Sequence, residues 1–362
     1  MKYIGHQNFD HSQAVRVGIL LVNLGTPEAP EKKSLRVYLR RFLWDPRVVE
    51  IPRLLWWLIL HGIILRVRPA RSAANYRKIW NERGSPLLFH TRDLAESVRG
   101  LVAERMGEAV VVDFAMRYSS PDIAATIQGM IDQGVTKLLV LPLYPQYSGP
   151  TTGSTFDALA ADFTRRRWLP ELRFVSQYHD HPAYIKAIAD SIRAHRATHG
   201  TADKLLFSYH GEPRRCLDLG DPYHCQCHKT TRLVAEQLGL PESSYLTTFQ
   251  SRFGKAEWLR PYTDATLKAL PGQGVTSVQV VCPGFSADCL ETLEEIGEEN
   301  RDYFIAAGGT HFDYIPCLNS AAGHVEAITA IIKGHLAGWA DAGATSEPTA
   351  TQARAIALGA GQ

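Results

Sequence analysis

Short runs of apolar and β-branched residues recur along the chain, and each run ends in a loop of glycine, proline and polar residues. Such runs, separated by segments long enough for a helix, are typical of parallel strands joined by crossover helices, because strands buried on both faces need no polar alternation. The intervening segments carry apolar residues three or four positions apart, the spacing of amphipathic helices. The pattern therefore predicts an α/β fold with parallel sheets. The runs lie at 16–22, 110–116, 137–143, 204–209, 245–249 and 277–281, and the amphipathic segments at 87–105, 121–133, 183–197 and 230–238.

The length of the chain and the grouping of the runs predict two domains. At about 150 residues per domain, 362 residues suffice for two separate cores. Three runs fall in each half, which predicts two Rossmann-like domains, each with a parallel sheet flanked by helices. We place the first domain at 14–165 and the second at 166–335. The tail at 340–362 is rich in alanine, glycine and threonine, and we predict that it is disordered.

Charge and hydropathy narrow the class of partner. A net charge of +2 argues against a surface built to bind nucleic acid. Residues 31–83 nevertheless hold 13 Lys or Arg against 4 Asp or Glu, and they include the apolar stretch 54–65, LLWWLILHGIIL. At 12 residues this stretch is shorter than the roughly 20 needed to span a bilayer, so we predict an interfacial helix instead. No apolar signal run opens the sequence, and we expect a cytoplasmic protein that is peripheral to the inner face of the membrane.

Two residues that follow predicted strands are candidates for a site. His210 ends the fourth run and precedes Gly211, which places an imidazole in a tight loop. Ligand crevices of open parallel sheets lie outside the carboxyl ends of the strands, so His210 is a candidate for metal binding or proton transfer. The alternative is a structural histidine bonded to the backbone. Trp258, in a basic loop after the fifth run, is a candidate cleft wall, although tryptophan more often belongs to a core.

A predicted helix after the sixth run carries carboxylates. Asp288, Glu291 and Glu295, at positions i, i+3 and i+7, would lie along one face. Because carboxylates in line repel one another unless a cation is near, the functional interpretation is a metal or proton path that meets His210. The alternative is a solvated acidic surface, since further glutamates continue around the helix.

Six cysteines are too few and too unevenly spaced for a disulfide framework, so reduced thiols are expected. Cys225 and Cys227 lie between the two histidines of the sequence HCQCH, and Cys216 precedes this sequence. This spacing lacks the paired Cys-x-x-Cys of structural zinc sites, and a [2Fe-2S] cluster would need a fourth thiolate from elsewhere. The simpler interpretation is a surface loop that leads into a helix from Thr230.

Several long strings together resemble the bacterial ferrochelatase family, from about Val17 to about Ile332. Fingerprints of nicotinamide, nucleotide and serine-hydrolase sites do not follow any of the runs. The resemblance implies a two-domain type II chelatase that inserts Fe²⁺ into protoporphyrin IX, the last step of haem b biosynthesis. The strings are LLVNLGTPEAP, NYRKIWNERGSPL, MRYSSP, LPLYPQYSGPTTGST, FSYHGEP, TTFQSRFGKAEWLRPYTD and CPGFSADCLETLEEI.

The same strings imply roles for single residues. His210 matches the family's essential histidine and Glu291 its paired glutamate, and both are implied as catalytic residues and metal ligands. Asp288 and Glu295 continue an acidic line or proton path. The basic, apolar region 31–83 matches a lip over the macrocycle, and no cofactor is implied beyond the substrate iron. The residues that match the porphyrin cleft are Tyr76, Arg117, Tyr118 and Trp258.

Departures from the family pattern and two other functions stay open. Animal-type members hold an iron–sulfur cluster through a C-terminal cysteine extension, but no cysteine follows Cys317, so that form is not expected. A cluster on the internal cysteines Cys216, Cys225 and Cys227 remains an alternative. A chelatase of the same fold for coproporphyrin, or for sirohydrochlorin with cobalt, would need more cations in its cleft. A non-catalytic haem or metal carrier would bind porphyrin without metallating it.

Overall fold

The computed structural model describes residues 3–6, 11–254, 256–339 and 348–360. Within these residues, eight strands form two four-stranded sheets in which every neighbouring pair is parallel. The strands are β1 (Arg16–Asn23), β2 (Val110–Met116), β3 (Val135–Pro142), β4 (Glu171–Phe174), β5 (Lys204–His210), β6 (Tyr245–Gln250), β7 (Ser277–Val281) and β8 (His311–Ile315). Their order is β2-β1-β3-β4 in the first sheet and β6-β5-β7-β8 in the second. The predicted α/β fold with parallel sheets is confirmed.

Of the four edge strands, β4 and β8 have no counterpart among the predicted runs. They contain 4 and 5 residues and carry charged side chains, because one side of an edge strand meets solvent. β4 pairs with β3 from Lys137↔Glu171 to Val140↔Phe174, so the first sheet ends at Phe174. The domain boundary predicted between residues 165 and 166 therefore lies before the last strand of that sheet.

Helices connect the strands and cover both sheets. The four predicted amphipathic segments lie in the helices Pro86–Met106, Ile123–Asp132 and Pro182–His199 and in the second half of the helix Tyr223–Leu238. The helices are α1 (Lys32–Trp44), α2 (Arg53–Ile59), α3 (Leu65–Ile79), α4 (Pro86–Met106), α5 (Ile123–Asp132), α6 (Ser154–Phe163), α7 (Pro182–His199), α8 (Arg214–Asp218), α9 (Tyr223–Leu238), α10 (Thr263–Ala269), α11 (Arg301–Ala306), α12 (Ala322–His335) and α13 (Pro348–Ala357). Segments with π-helical hydrogen bonding are Leu60–Ile64, Gly149–Gly153 and Glu291–Asn300, and short 3₁₀ turns are Glu242–Ser244 and Pro271–Gln273.

Both faces of β1 are buried, which explains its unbroken apolar sequence. Ile19 and Leu21 pack in a core that includes α4, α7, α9 and α12, whereas Leu20 and Val22 pack in a separate core with α5. Alternate side chains of a strand point to opposite faces of a sheet, so each face of β1 has its own apolar cover. Leu205 of β5 belongs to the first of these cores, so one apolar core joins the two sheets.

Helices α1 to α3 form a lip, residues 32–79, beside the first sheet. The segment from Arg53 to Ile79 is helical throughout, with the π turn in its middle. Leu35, Leu60 and Tyr76 turn inward and form a core of their own. The predicted helix at 54–65 is present, and it leaves a row of apolar side chains exposed to solvent. These are Leu54, Leu55, Trp57, Leu58, Ile63 and Val67.

None of the helices in the described residues is long and apolar enough to cross a membrane.

The HCQCH sequence lies inside α9, which begins at Tyr223 instead of Thr230. The predicted surface loop is therefore wrong for this segment. Tyr223 and Cys227, four residues apart, are buried in the core shared by both sheets, while Cys225 is exposed. Cysteine here acts as a small apolar residue that extends the buried face of the helix by a turn.

The tail differs in part from its prediction. Residues 348–357 form α13, a helix in a segment for which the composition predicts disorder. Residues 340–347 and 361–362 of the predicted disordered tail lie outside the described residues. Alanine is the best helix former, so an alanine-rich stretch can form a helix when it is long enough.

Candidate active site

His210 is the last residue of β5 and is partly exposed. Its Nδ1 lies 2.7 Å from the carbonyl oxygen of Gly211. Because a carbonyl oxygen can only accept, Nδ1 carries the hydrogen and Nε2 keeps its lone pair. No larger residue fits at position 211, since a Cβ there would lie 2.7 Å from the carbonyl oxygen of Gln250. The strand end thus presents an imidazole that can accept a proton or bind a metal ion through Nε2.

Gln250 connects His210 to the π-helix Glu291–Asn300. It is the register partner of His210 at the end of the neighbouring strand β6. Its Nε2 donates to the carbonyl oxygen of Glu291 at 2.7 Å, and its Oε1 accepts from Ser208 Oγ at 2.7 Å. One buried amide therefore holds the first turn of the π-helix next to the strand end that carries His210.

Glu291, the first residue of the π-helix, faces the lip. The pKa values of Tyr38 and Tyr76 are raised chiefly by the burial of these tyrosines, and the charge of Glu291 adds to this effect. It also acts on Arg68 of α3, whose pKa is lowered, chiefly by desolvation. Leu290, just before it, packs against the core of the lip. The carboxylate therefore lies between the second domain and the lip of the first, and not on an isolated acidic surface.

Glu295 follows Glu291 by four residues and is partly buried. Its carboxylate accepts from the N–H of Ser251 at 2.7 Å and also bonds to the hydroxyl of Ser251. Burial raises the pKa of Glu295 to about 7, and the charge of Glu291 adds to this effect. A carboxyl group that takes up and releases a proton near neutral pH therefore lies next to Glu291.

Asp288 does not continue the predicted line of carboxylates. It precedes the π-helix and is buried, and its carboxylate accepts hydrogen bonds from Thr292 Oγ1 at 3.1 Å and Asn319 Nδ2 at 2.7 Å. The hydroxyl of Tyr314 and the N–H of Cys317 donate to it as well. Four donors surround this carboxylate, which therefore holds the loop before the π-helix in place. The line of carboxylates predicted for one helix face is reduced to Glu291 and Glu295.

Arg117 and Tyr118, after β2, form a polar wall of the first domain. Arg117 Nη2 and Tyr118 Oη both donate to Oδ2 of Asp45, each at 2.8 Å. Ser154 Oγ donates to the same oxygen at 2.6 Å, and the guanidinium of Arg117 lies 4.6 Å from the ring centre of Tyr118. Asp45 was not among the predicted site residues, although it is one of only a few acidic residues in the basic region 31–83. It neutralises Arg117 and fixes the direction of both side chains.

The other two predicted cleft residues lie on opposite sides of the site. Tyr76 belongs to the lip core, with Tyr118, and is 8 % exposed. Trp258 packs on the ring of Phe253 at 4.8 Å between centroids and lies against the loop at Gly211. Within the described residues, its buried Nε1 has no hydrogen-bond partner. The structure thus places Trp258 beside His210 and places Tyr76 beside Glu291.

The lip and the π-helix are also joined by charge. Lys78 of α3 lies 2.9 Å from Glu294 and 3.0 Å from Glu298 of the π-helix. These contacts hold the first domain against the helix that begins with Glu291. The structure therefore brings the predicted residues of the two domains to a single boundary between the lip and the ends of β5 and β6.

The ligand set at this boundary is small. Among the described residues, no group of three or more His, Cys, Asp and Glu side chains is arranged to hold a metal ion. Structural metal sites are closed by four ligands, whereas sites for exchange or catalysis keep positions open. The predicted ligands at this boundary are one imidazole, His210, and one carboxylate, Glu291.

Two domains, each built on a four-stranded parallel sheet, define a two-domain α/β fold, in which His210 ends β5 and Glu291 begins the π-helix. A solved structure, SirB from Bacillus subtilis with Fe³⁺, has this fold, with a TM-score of 0.53 at 11% identity over 88% of this chain and 95% of that one. The family model for Ferrochelatase matches residues 16–336. The chain belongs to the ferrochelatase family.

Curated relatives agree over nearly the whole chain. A ferrochelatase of Idiomarina loihiensis is 60% identical over 94% of this chain and 93% of its own length. One of Marinobacter nauticus is 60% identical over 94% and 92%, and one of Thioalkalivibrio sulfidiphilus is 52% identical over 100% and 99%. The family identification made from the sequence strings is confirmed.

Proposed function

We propose that this chain is a lyase that inserts Fe²⁺ into protoporphyrin IX to form protohaem, the last step of haem b biosynthesis. The observation that carries the proposal is the family membership over residues 16–336, combined with the pairing of His210 and Glu291 across Gln250. Iron and porphyrin are the substrates, and no resident cofactor takes part.

Metal insertion requires a proton acceptor and oxygen or nitrogen ligands at one place. Two pyrrole N–H protons must leave the macrocycle, and the hydrated ion must exchange water for other ligands. His210 accepts a proton through its free Nε2, whose direction is set by the bond from Nδ1 to Gly211. The Glu291 carboxylate contacts the ion, and Glu295, with its pKa of about 7, takes protons onward from the site.

Bending of the porphyrin would lower the barrier further. A planar macrocycle directs its nitrogen lone pairs inward, so a bent ring exposes them to the ion. Binding groups that fit the bent form stabilise the transition state more than the substrate. Trp258 and Tyr118 are 5% and 3% exposed, and their neighbours restrict their movement. We infer that these two rigid walls enforce the bend.

Two arginines of the lip suit the propionates of the porphyrin. Arg68 and Arg71 are three residues apart on α3, so their guanidinium groups face the same side. Arg68 lies among Glu291, Tyr38 and Tyr76, and desolvation lowers its pKa. Both arginines are exposed, so an anionic ligand can reach them, and we infer that a propionate does. Arg117 is already paired with Asp45 and is not needed for this role.

Anaerobic incubation of the protein with Fe²⁺ and protoporphyrin IX, followed by absorption as haem forms, tests the function. Coproporphyrin in a parallel reaction distinguishes the related chelatase, because this substrate would turn over faster if the cleft were built for four carboxylates. Porphyrin binding without metallation would favour a carrier. Some insertion of zinc or cobalt is expected, since porphyrin nitrogens do not exclude other first-row ions.

We propose that the cysteines hold no iron–sulfur cluster. Cys227 is fully buried between core side chains, and burial is the main cause that raises its pKa. Cys225 is exposed on another side of α9, so the two thiols do not converge. The absorption spectrum of anaerobically purified protein should therefore lack iron–sulfur bands. Bands that disappear when Cys225 is replaced by serine would contradict this.

We propose that the protein contacts the membrane peripherally, at its cytoplasmic face, and the exposed row of the lip supports the contact. Leu54 is 79 % exposed and Val67 is 71 % exposed, and both lie in a helix within the basic region 31–83. An apolar face bordered by cations is typical of helices that lie in the interface of anionic membranes. An apolar porphyrin could then reach the lip directly from the bilayer.

Liposome flotation measures this contact. We expect the protein to float with vesicles that contain anionic lipid, and the double variant L54S/L58S to lose most of this binding because both side chains are exposed. The variant L219S, at an exposed leucine outside the lip, is the matched control and should bind like the unchanged chain. Equal flotation of all three proteins, or of none, would refute membrane contact through the lip.

A further inference from the structure

The loop after β3 in the first domain is held by the second domain at four consecutive residues. In each contact a side chain of the second domain meets a backbone N–H or a side chain of the loop. Two of the four partners are carboxyl groups, and both are drawn from the segment between β5 and α9. The contacts are Gln146 with Thr230, Tyr147 with Gln226, Ser148 with Glu212 and Gly149 with Asp221.

Glu212 links this loop to the loop of the candidate catalytic histidine. It follows His210 by two residues, and its own carbonyl accepts from the N–H of Leu259 at 2.8 Å. Between them, the carbonyl of Gly211 accepts from His210 Nδ1. The Glu212 side chain is 6 % exposed and bonds to the hydroxyl of Ser148. A displacement of Glu212 would therefore move the group that orients the imidazole.

Ser148 links the same contact to the polar wall of the first domain. Its carbonyl accepts from the N–H of Gly153 at 3.1 Å, and Ser154 follows directly. Ser154 bonds to Tyr118 Oη at 2.8 Å and to Arg117 Nε at 2.8 Å. The chain of contacts from His210 through Glu212 and Ser148 thus ends at the wall that includes Tyr118.

We propose that Glu212 is a positioning residue, which through its bond to Ser148 sets the distance between His210 and the Arg117–Tyr118 wall. The bond crosses the domain boundary and is excluded from solvent, so it fixes one domain edge against the other. Catalysis depends on the placement of reacting groups more steeply than binding does. The kinetic part of this proposal rests on the proposed function.

Glutamine is the matched replacement for this side chain. A glutamine side chain has the same length and can also bond to the Ser148 hydroxyl. Alanine removes the bond. Comparison of E212A with E212Q therefore separates loss of the hydrogen bond to Ser148 from loss of the carboxyl group.

We expect E212A to lower kcat for metal insertion by about tenfold while the Kd for protoporphyrin, from fluorescence, changes by less than about threefold. E212Q should recover kcat to within about twofold. The double variant S148A/E212A should be no slower than the slower single variant, because both remove one contact. Hydrogen exchange of the amides in residues 146–153 should rise in E212A and stay unchanged in E212Q. D218A, at an exposed carboxylate of α8, should behave like the unchanged chain.

Several results would overturn the proposal. One is an unchanged kcat in E212A, and another is an equal loss in E212A and E212Q. A loss of porphyrin affinity as large as the loss of kcat would indicate a general disturbance of the cleft. If the unchanged chain binds protoporphyrin but metallates none, the proposed function fails. Hydrogen exchange then decides alone whether Glu212 holds the loop, and no difference between E212A and E212Q would refute it.

Discussion

Replacing His210 by alanine is expected to lower kcat for iron insertion by about a hundredfold or more, with little change in the affinity for protoporphyrin. The imidazole is the one proton acceptor at the end of β5 whose lone pair is set free by a bond from its other nitrogen. General-base groups contribute about 10² to 10⁴ in rate. Haem formation in anaerobic solution gives kcat, and quenching of protein fluorescence by porphyrin gives the Kd.

A matched control separates this effect from the loss of any histidine. His199 lies exposed at the end of α7, away from the lip, and H199A should retain the full rate. Near-normal iron insertion by H210A would show that the proton leaves by another route. A parallel loss of rate and of porphyrin binding would indicate that His210 supports the cleft and not the chemistry.

Replacing Glu291 by glutamine is expected to lower kcat/KM for iron by about tenfold to a hundredfold. The substitution keeps the shape of the side chain but removes the charge that attracts a partly dehydrated cation. Metal dependence of the initial rate separates KM from kcat. The change in KM should be the larger one if Glu291 receives the ion before the porphyrin does.

The same variant should alter the pH profile. The charge of Glu291 is one of the causes that raise the pKa of Glu295, so its removal lowers that pKa. Any limb of the rate profile that reports Glu295 should therefore move to lower pH in E291Q. E299Q is the control, since Glu299 is exposed and bonds to Tyr303 on the surface. If E291Q leaves kcat, KM for iron and the profile unchanged, Glu291 has no part in metal delivery or proton removal.

The strands and helices of the sheet cores could be predicted because buried elements have a characteristic spacing of apolar residues in the local sequence. β2 and β7 have the predicted bounds, and the other four predicted runs differ from the observed strands by one or two residues at one or both ends. β4 and β8 could not be found in this way, because an edge strand of 4 or 5 residues that meets solvent has no continuous apolar run. The start of α9 was missed because its first buried residues are Tyr223, Gln226 and Cys227, in a segment whose sequence is mostly polar.

The site was predictable in its principal residues and not in its connections. His210 stands out because it ends a continuous apolar strand, and the family strings single out Glu291. Nothing in the local sequence shows that the Asp288 carboxylate is also bonded by Tyr314, Cys317 and Asn319, since these partners lie 26 to 31 positions further along the chain. Asp45 and Glu212 were missed for the same reason.

The sequence by itself determined the fold class, the family and the strand end that carries the histidine. These follow from the period of apolar residues and from uninterrupted strings, both of which are properties of neighbouring positions in the chain. Only the tertiary structure decided which charges are free to act. Arg117 is paired with the distant Asp45, and the Asp288 carboxylate is occupied by hydrogen bonds that include one from Asn319, whereas Glu291 faces the lip and Glu212 bonds across the boundary between the domains. The availability of a charge depends on burial and on partners far apart in sequence, and folding alone brings these together.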